Sequence, residues 1–185
     1  MVSKYVLGFA VSALLAAGAV APAQVTRHRA AIGPRGGSRS VTQTRGNGQF
    51  SGTRQAVGPN GATYSNQRNA SAGHYSDTRT KTGPNGGSVT TQRSAQPGEA
   101  SSSKTVVGPN GSTYTNQRSA ANGQYSDTRT ATGPNGGAYT NQRSAGNGQY
   151  SDSKTAVGPN GGTYTDQRTV QNGQVTNTRT VTPAP

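Results

Sequence analysis

The chain has 185 residues, no cysteine, and 18 Lys and Arg against 5 acidic residues. Every leucine lies in the first 23 positions, and the 162 residues beyond hold only ten Val, one Ile (Ile32) and one Phe (Phe50). Chains this poor in large aliphatic residues cannot offset the entropy of folding by apolar burial, so a conventional hydrophobic core is excluded. The lack of cysteine also excludes a disulfide framework and a lipid-attachment thiol.

In chain order, the first element is a predicted secretory signal peptide over 1–23. Lys4 supplies a short positive region, Tyr5 to Val20 an apolar stretch with Leu7, Leu14 and Leu15, and Ala21-Pro22-Ala23 a small-x-small cleavage pattern. The stretch is short for a membrane span and rich in Ala and Gly. The expected mature chain starts at Gln24, has no membrane span, and is secreted or held at the cell surface, or in the periplasm of a Gram-negative cell. Residues 24–32 read as a basic N-terminal segment, 33–182 as six tandem repeats and 183–185 as a C-terminal tail.

The repeat shows in its turn motif. Gly-Pro-x-Gly begins at Gly33, Gly58, Gly83, Gly108, Gly133 and Gly158, always 25 residues apart, with Arg35 in place of Asn in the first copy. Glycine does not recur every third residue, which rules out collagen. Each unit has two related halves: Tyr114-Thr115-Asn116-Gln117-Arg118-Ser119-Ala120 resembles Tyr125-Ser126-Asp127-Thr128-Arg129-Thr130-Ala131. The shared Tyr-x-Asx-x-Arg-x-Ala alternates with period two, the signature of a strand.

Asn-Gly at Asn47, Asn122, Asn147 and Asn172 separates the halves and suits a two-residue hairpin loop. Such a loop at Asn122-Gly123 pairs Ala120 with Tyr125, Arg118 with Asp127, Asn116 with Arg129, and Tyr114 with Ala131. A three-residue loop within Gly133-Pro134-Asn135-Gly136-Gly137, with Pro first and Gly at the left-handed position, pairs Arg129 with Asn141, Asp127 with Arg143, and Tyr125 with Ala145. Both turns therefore set arginine against Asx and tyrosine against alanine, so the motif complements itself in antiparallel pairing. The predicted fold is all-β: tandem strand-turn-strand repeats in an antiparallel meander. Two alternatives stay open, a chain disordered in isolation and a parallel-stacked β-solenoid, which would stack like charges about 4.8 Å apart.

One predicted face carries the repeat chemistry: Tyr64 and Arg68, Tyr75 and Arg79, Tyr114 and Arg118, Tyr125, Asp127 and Arg129, Tyr139 and Arg143, Tyr150 and Asp152, Tyr164 and Arg168, and Arg179. The other face is Ser, Thr and Gln. Neither is apolar enough to face lipid as a porin must. The first copy (Val41, Gln43, Arg45) and the third (Ala100, Ser102, Lys104) depart most from the motif and are the expected places for bends, caps or loose edges.

No motif supports catalysis, and no enzyme activity, cofactor or metal is expected. His28 and His74 are 46 residues apart, and the acids Asp77, Glu99, Asp127, Asp152 and Asp166 are spread singly along the chain, without metal or carboxylate-pair spacing. Gly83 to Thr91 lacks the Gly-Lys-Ser/Thr of a phosphate loop. Asn69-Ala70-Ser71 and Asn110-Gly111-Ser112 match a glycosylation acceptor in a eukaryotic secretory cell.

The layout from Gly33 to Thr182, strand-turn-strand units rich in Gly, Asn, Gln, Ser and Tyr behind a signal peptide, resembles the curlin class of bacterial secreted amyloid subunits. Curlins are built on Ser, Gln and Asn ladders and this chain on Tyr, Asx and Arg, so no functional residue carries over. It also resembles uncharacterised bacterial exported proteins with Gly-Pro-Asn-Gly repeats. The resemblance implies self-association. The expected function is a secreted or cell-surface structural protein whose partner is itself, through β-sheet edges, with no specific small molecule. The strand around Val175, Asn177, Arg179 and Val181 is the expected growing edge, since Pro183 and Pro185 lie beyond it. A repeated positive charge of about +12 makes polyanion binding, to extracellular nucleic acid or anionic polysaccharide, an alternative partnership. A third reading is that the Ser/Thr face binds an ordered surface such as ice.

Overall fold

The computed structural model describes residues 24–185, so the signal peptide over 1–23 and its cleavage after Ala23 lie outside the described residues. The described chain is one antiparallel sheet of thirteen strands whose spatial order is the chain order. The strands are β1 (Val25–Ile32), β2 (Ser38–Gly46), β3 (Gln49–Val57), β4 (Thr63–Ser71), β5 (His74–Thr82), β6 (Ser88–Gln96), β7 (Glu99–Val107), β8 (Thr113–Ala121), β9 (Gln124–Thr132), β10 (Ala138–Gly146), β11 (Gln149–Val157), β12 (Thr163–Gln171) and β13 (Gln174–Thr182). Each strand meets only its sequence neighbours, and β1 and β13 do not pair with each other, so the sheet is open. Among the described residues no helix is long and apolar enough to cross a membrane.

Two turn types alternate, and each does what its residues allow. At the two-residue loops Asn47, Asn122, Asn147 and Asn172 take φ of 50 to 53°, and the glycine after each is also left-handed. Both central residues at positive φ make a type I′ turn, whose twist matches the strands it joins. Ala72-Gly73 fills the same place with Ala72 at φ 38°. Pro97-Gly98 fills it with only the glycine left-handed, because the proline ring holds φ negative. The Gly-Pro-x-Gly connections close by Gly136 N–H donating to Gly133 C=O at 3.2 Å and Gly133 N–H donating to Gly137 C=O at 2.7 Å, and the other five copies repeat this. Gly136 sits at φ 84°, the left-handed position that turns a three-residue loop into a bulged hairpin.

The register is the one that the two turn types dictate. Arg118 pairs with Asp127 and Asn116 with Arg129 on one side of β9, and Asp127 pairs with Arg143 and Arg129 with Asn141 on the other. The sheet is therefore a meander and not a solenoid. The divergent third copy keeps its pairing: β7 matches β6 and β8 over nine residues each, without a bulge. Ser102 there replaces aspartate between Arg93 and Arg118, so the departure changes side-chain chemistry and leaves the backbone regular.

Six two-strand units account for twelve strands, and the basic N-terminal segment over 24–32 adds a thirteenth, which the repeat motif does not mark. That segment forms β1, paired with β2 from Val25 opposite Arg45 to Ile32 opposite Ser38. The connection at Gly33-Pro34-Arg35-Gly36-Gly37 is a hairpin loop and so needs a strand before it. The strand count becomes odd, which fixes how the two edges run.

Among the described residues no hydrophobic side chain is buried; the buried side chains are Asn66, Asp77, Asp127 and Asn141, and Gly52 is buried with them. The interior of this protein is a polar layer on one face of a single sheet.

Candidate functional surface

Alternation along each strand and register across strands place side chains in rows that run across the sheet. On the tyrosine-bearing face, one central row reads Arg54, Asn66, Arg79, Thr91, Lys104, Asn116, Arg129, Asn141, Lys154, Asp166, Arg179 from β3 to β13. The neighbouring row reads Gly52, Arg68, Asp77, Arg93, Ser102, Arg118, Asp127, Arg143, Asp152, Arg168, Asn177. Each strand from β3 to β13 thus sets one cation in these two rows, alternating between them. Flanking rows alternate Tyr with small or apolar residues, as in Ala120, Tyr125, Ala145, Tyr150 and Val170.

The carboxylates lie beneath the cations. Asp127 is 1% exposed while the Arg118 side chain across from it is 49% exposed. Arg118 Nε stands 3.5 Å from Asp127 Oδ1, Arg129 donates from Nη2 to Oδ2 at 2.8 Å, and Asn116 Nδ2 donates to Oδ1 at 2.8 Å. The same cluster recurs. Asp77 accepts from Asn66 and from Arg68 at 3.2 Å, with Arg79 at 3.9 Å. Asp152 accepts from Asn141 at 2.6 Å and Arg143 at 3.4 Å, with Lys154 at 3.5 Å. A buried carboxylate held by two cations and an amide answers its desolvation with charge-assisted hydrogen bonds.

Titration follows from this packing. Burial pushes the Asp127 carboxyl upward, but hydrogen bonds from Arg129 and Asn116 and the charges of Arg129 and Arg118 outweigh it and hold the group below its ordinary value. Asp152 is likewise held low: burial opposes, and the Asn141 hydrogen bond with the charges of Lys154 and Arg143 prevails. Arg129 is held above its ordinary value, first by its hydrogen bond to Asp127 and then by that carboxylate's charge. Asn141 Oδ1 and Arg79 Nε are buried without a hydrogen-bond partner among the described residues. Asn141 pairs in register with Arg129, whose Nε and Nη2 are already donated to Asp127.

Charge is fully sorted between the faces. All sixteen Lys and Arg in strands stand on the tyrosine-bearing face, with Asp77, Asp127, Asp152 and Asp166; the seventeenth described cation, Arg35, lies in a turn. The opposite face has no Lys or Arg and carries Glu99, His28 and His74. Its hydroxyls bond one another across strands: Thr115 with Thr130, Ser119 with Ser126 at 2.7 Å, Ser144 with Ser151 at 2.8 Å.

Toward β1 the positive face loses its carboxylates. Gly52 holds the place of Asp77, Asp127 and Asp152, and a groove of about 620 Å³ there is lined by Arg39, Arg54, Arg68, Arg79 and Lys81 with Phe50 and Tyr64, and by no acidic residue. Arg54 lies 5.2 Å over the Tyr64 ring and Arg45 5.2 Å over Phe50, so guanidinium groups occupy those ring faces.

The sixteen repeat-face residues expected from the sequence all fall on this one face, with Tyr and Ala flanking the Arg–Asx rows as the two turn registers require. Sequence reasoning did not single out Asn66, Asn116 and Asn141 as the amide donors to the carboxylates, nor Asp77 and Lys154 as members of the clusters. The repeat marks their positions as Asx or cation; their depth follows from arginine side chains folding over them. No group of His and acidic residues that could hold a metal exists among the described residues. No protein family, curated protein or solved structure matches the chain.

Proposed function

We propose that this chain is a secreted or cell-surface structural protein, without enzymatic activity, that associates with itself through the edges of its sheet to build or decorate an extracellular matrix. The observation that carries this is an open sheet, with no apolar core among the described residues, whose edge strand β13 contains neither proline nor bulge. Soluble sheets ordinarily blunt such edges. The curlin-like layout agrees with it. Sedimentation of the chain from Gln24 at increasing concentration tests it: concentration-dependent association is expected, and a chain that stays monomeric at high concentration over days contradicts it.

A second reading, polyanion binding, is favoured by the sorting of every strand cation to one face and by the carboxylate-free groove. Buried aspartates leave the exposed tips positive, and within the groove the Phe50 and Tyr64 rings, covered by arginine, offer little for base stacking, so an anionic polysaccharide suits the groove better than a nucleic acid. Salt-dependent retention on heparin that falls on Arg54→Gln with Arg68→Gln supports it, and passage through the column at low salt excludes it.

A further inference from the structure

We infer that the two edges are not equivalent and that the first assembly step is a closed two-fold dimer joined β13 to β13; this rests on the edge-association reading. Thirteen is odd, so β1 and β13 run in the same direction within the sheet. Adding a second copy head to tail, with its positive face on the same side, sets β13 beside the next β1 in parallel. Every pairing in the protein, and the complementarity built into its motif, is antiparallel. The only antiparallel joins that keep the charged faces together are homotypic, with a two-fold axis normal to the sheet.

The β13 edge accepts such a join. Its turn at Asn172-Gly173 makes Gln171 and Gln174 a hydrogen-bonded pair, and antiparallel ladders alternate from there, so Val175, Asn177, Arg179 and Val181 turn their backbone groups outward. With Thr178 opposite its own copy, Asn177 meets Arg179 twice and Val175 meets Val181 twice. These are the Asx–Arg and apolar pairs found inside the sheet, where Asn177 faces Arg168 and Asp166 faces Arg179. Val175 and Val181 are 53% and 66% exposed and gain cover in this join.

The β1 edge refuses it. The three-residue connection closing at Gly33 and Gly37 leaves Thr26, His28, Ala30 and Ile32 with outward backbone groups, and puts Arg27 and Arg29 in the close, non-hydrogen-bonded pairs. A β1–β1 pair centred on residue 27, 28 or 29 sets Arg27 against Arg27, Arg27 against Arg29, or Arg29 against Arg29, with no carboxylate on that strand to answer them. Like charges directly opposite oppose pairing. Edge growth therefore ends at two copies, so the unit that would decorate a matrix is a dimer, which doubles the thirteen-stranded sheet with one continuous positive face and a charged strand at each end.

Sedimentation equilibrium of the chain from Gln24, with two substitutions at one position, decides the matter. Wild type is expected to reach a dimer and go no further. Asn177→Asp places a carboxylate opposite Arg179 at both symmetric positions and should tighten the dimer about tenfold, whereas Asn177→Arg should weaken it by at least as much. A tightening cannot come from a strand that has merely unfolded. Assemblies larger than the dimer, or a dimer unmoved by both substitutions, overturn the β13 join while leaving edge association standing. A wild-type chain that stays monomeric overturns both.

Discussion

At the scale of single residues, this protein is held by carboxylates that would be costly to bury alone. Asp127 and Asp152 have folded pKa values below their ordinary 3.8. As pH falls the unfolded chain takes up protons first, so the stabilisation these groups give is complete above about pH 5 and declines as pH drops through 3.8 and below. Urea midpoints should thus be flat from neutrality to about pH 5 and fall below pH 4, and Asp127→Asn should reduce the slope of that fall. The pairing of Arg118 with Asp127 was legible from the turns, but its sharing was not. Arg129 lies two residues along the same strand and Arg143 pairs from the far side, so an arginine at 127 would stand beside two cations even with a carboxylate at 118. Exchanging the two residues (Arg118→Asp with Asp127→Arg) is accordingly expected not to restore stability; the double variant should be less stable than Arg118→Ala, whose half-exposed pair contributes only about 0.5–1 kcal/mol. Recovery to wild type would show that the pair acts in isolation.

At the scale of elements, the turns carry the design and expose its weak copies. Asn-Gly was readable at four of the six two-residue loops because asparagine tolerates left-handed backbone; Ala72-Gly73 and Pro97-Gly98 were readable only by their 25-residue spacing. Ala72 at φ 38° pays for a conformation its Cβ resists, so Ala72→Asn should raise stability by about 0.5–1 kcal/mol, measured as a shift in denaturation midpoint with unchanged m-value. A lower midpoint would mean that Ala72 makes a compensating contact. β1 was missed because Arg27-His28-Arg29 and its neighbours contain no Tyr-x-Asx motif, although the hairpin loop at Gly33 implied a strand before it. Periodicity found the repeat, while turn chemistry would have found the strand outside it.

At the scale of the whole molecule, strand parity connects fold to assembly. Removing residues 24–32 leaves twelve strands and brings β2 to the edge, where Arg39, Val41, Gln43 and Arg45 would face Val181, Arg179, Asn177 and Val175 of the next copy in antiparallel register, with no arginine opposite another. That truncated chain should grow beyond dimers, seen as concentration-dependent high-mass species in light scattering; a dimer unchanged by the deletion would mean that β1 does not limit growth. Because each strand meets only its neighbours, the sheet has the near one-dimensional character of repeat proteins, and its length across strands is its most direct signature. The absence of cysteine allows unique spin labels at Thr42 in β2 and Gln167 in β12, which occupy one row of the hydroxyl-bearing face. Ten strand spacings separate them, so a pulsed dipolar measurement in excess unlabelled chain should give a narrow distribution near 45–50 Å. A narrow peak near about 24 Å, as five stacked solenoid rungs would give, or a broad distribution without a peak, would contradict the single-layer meander.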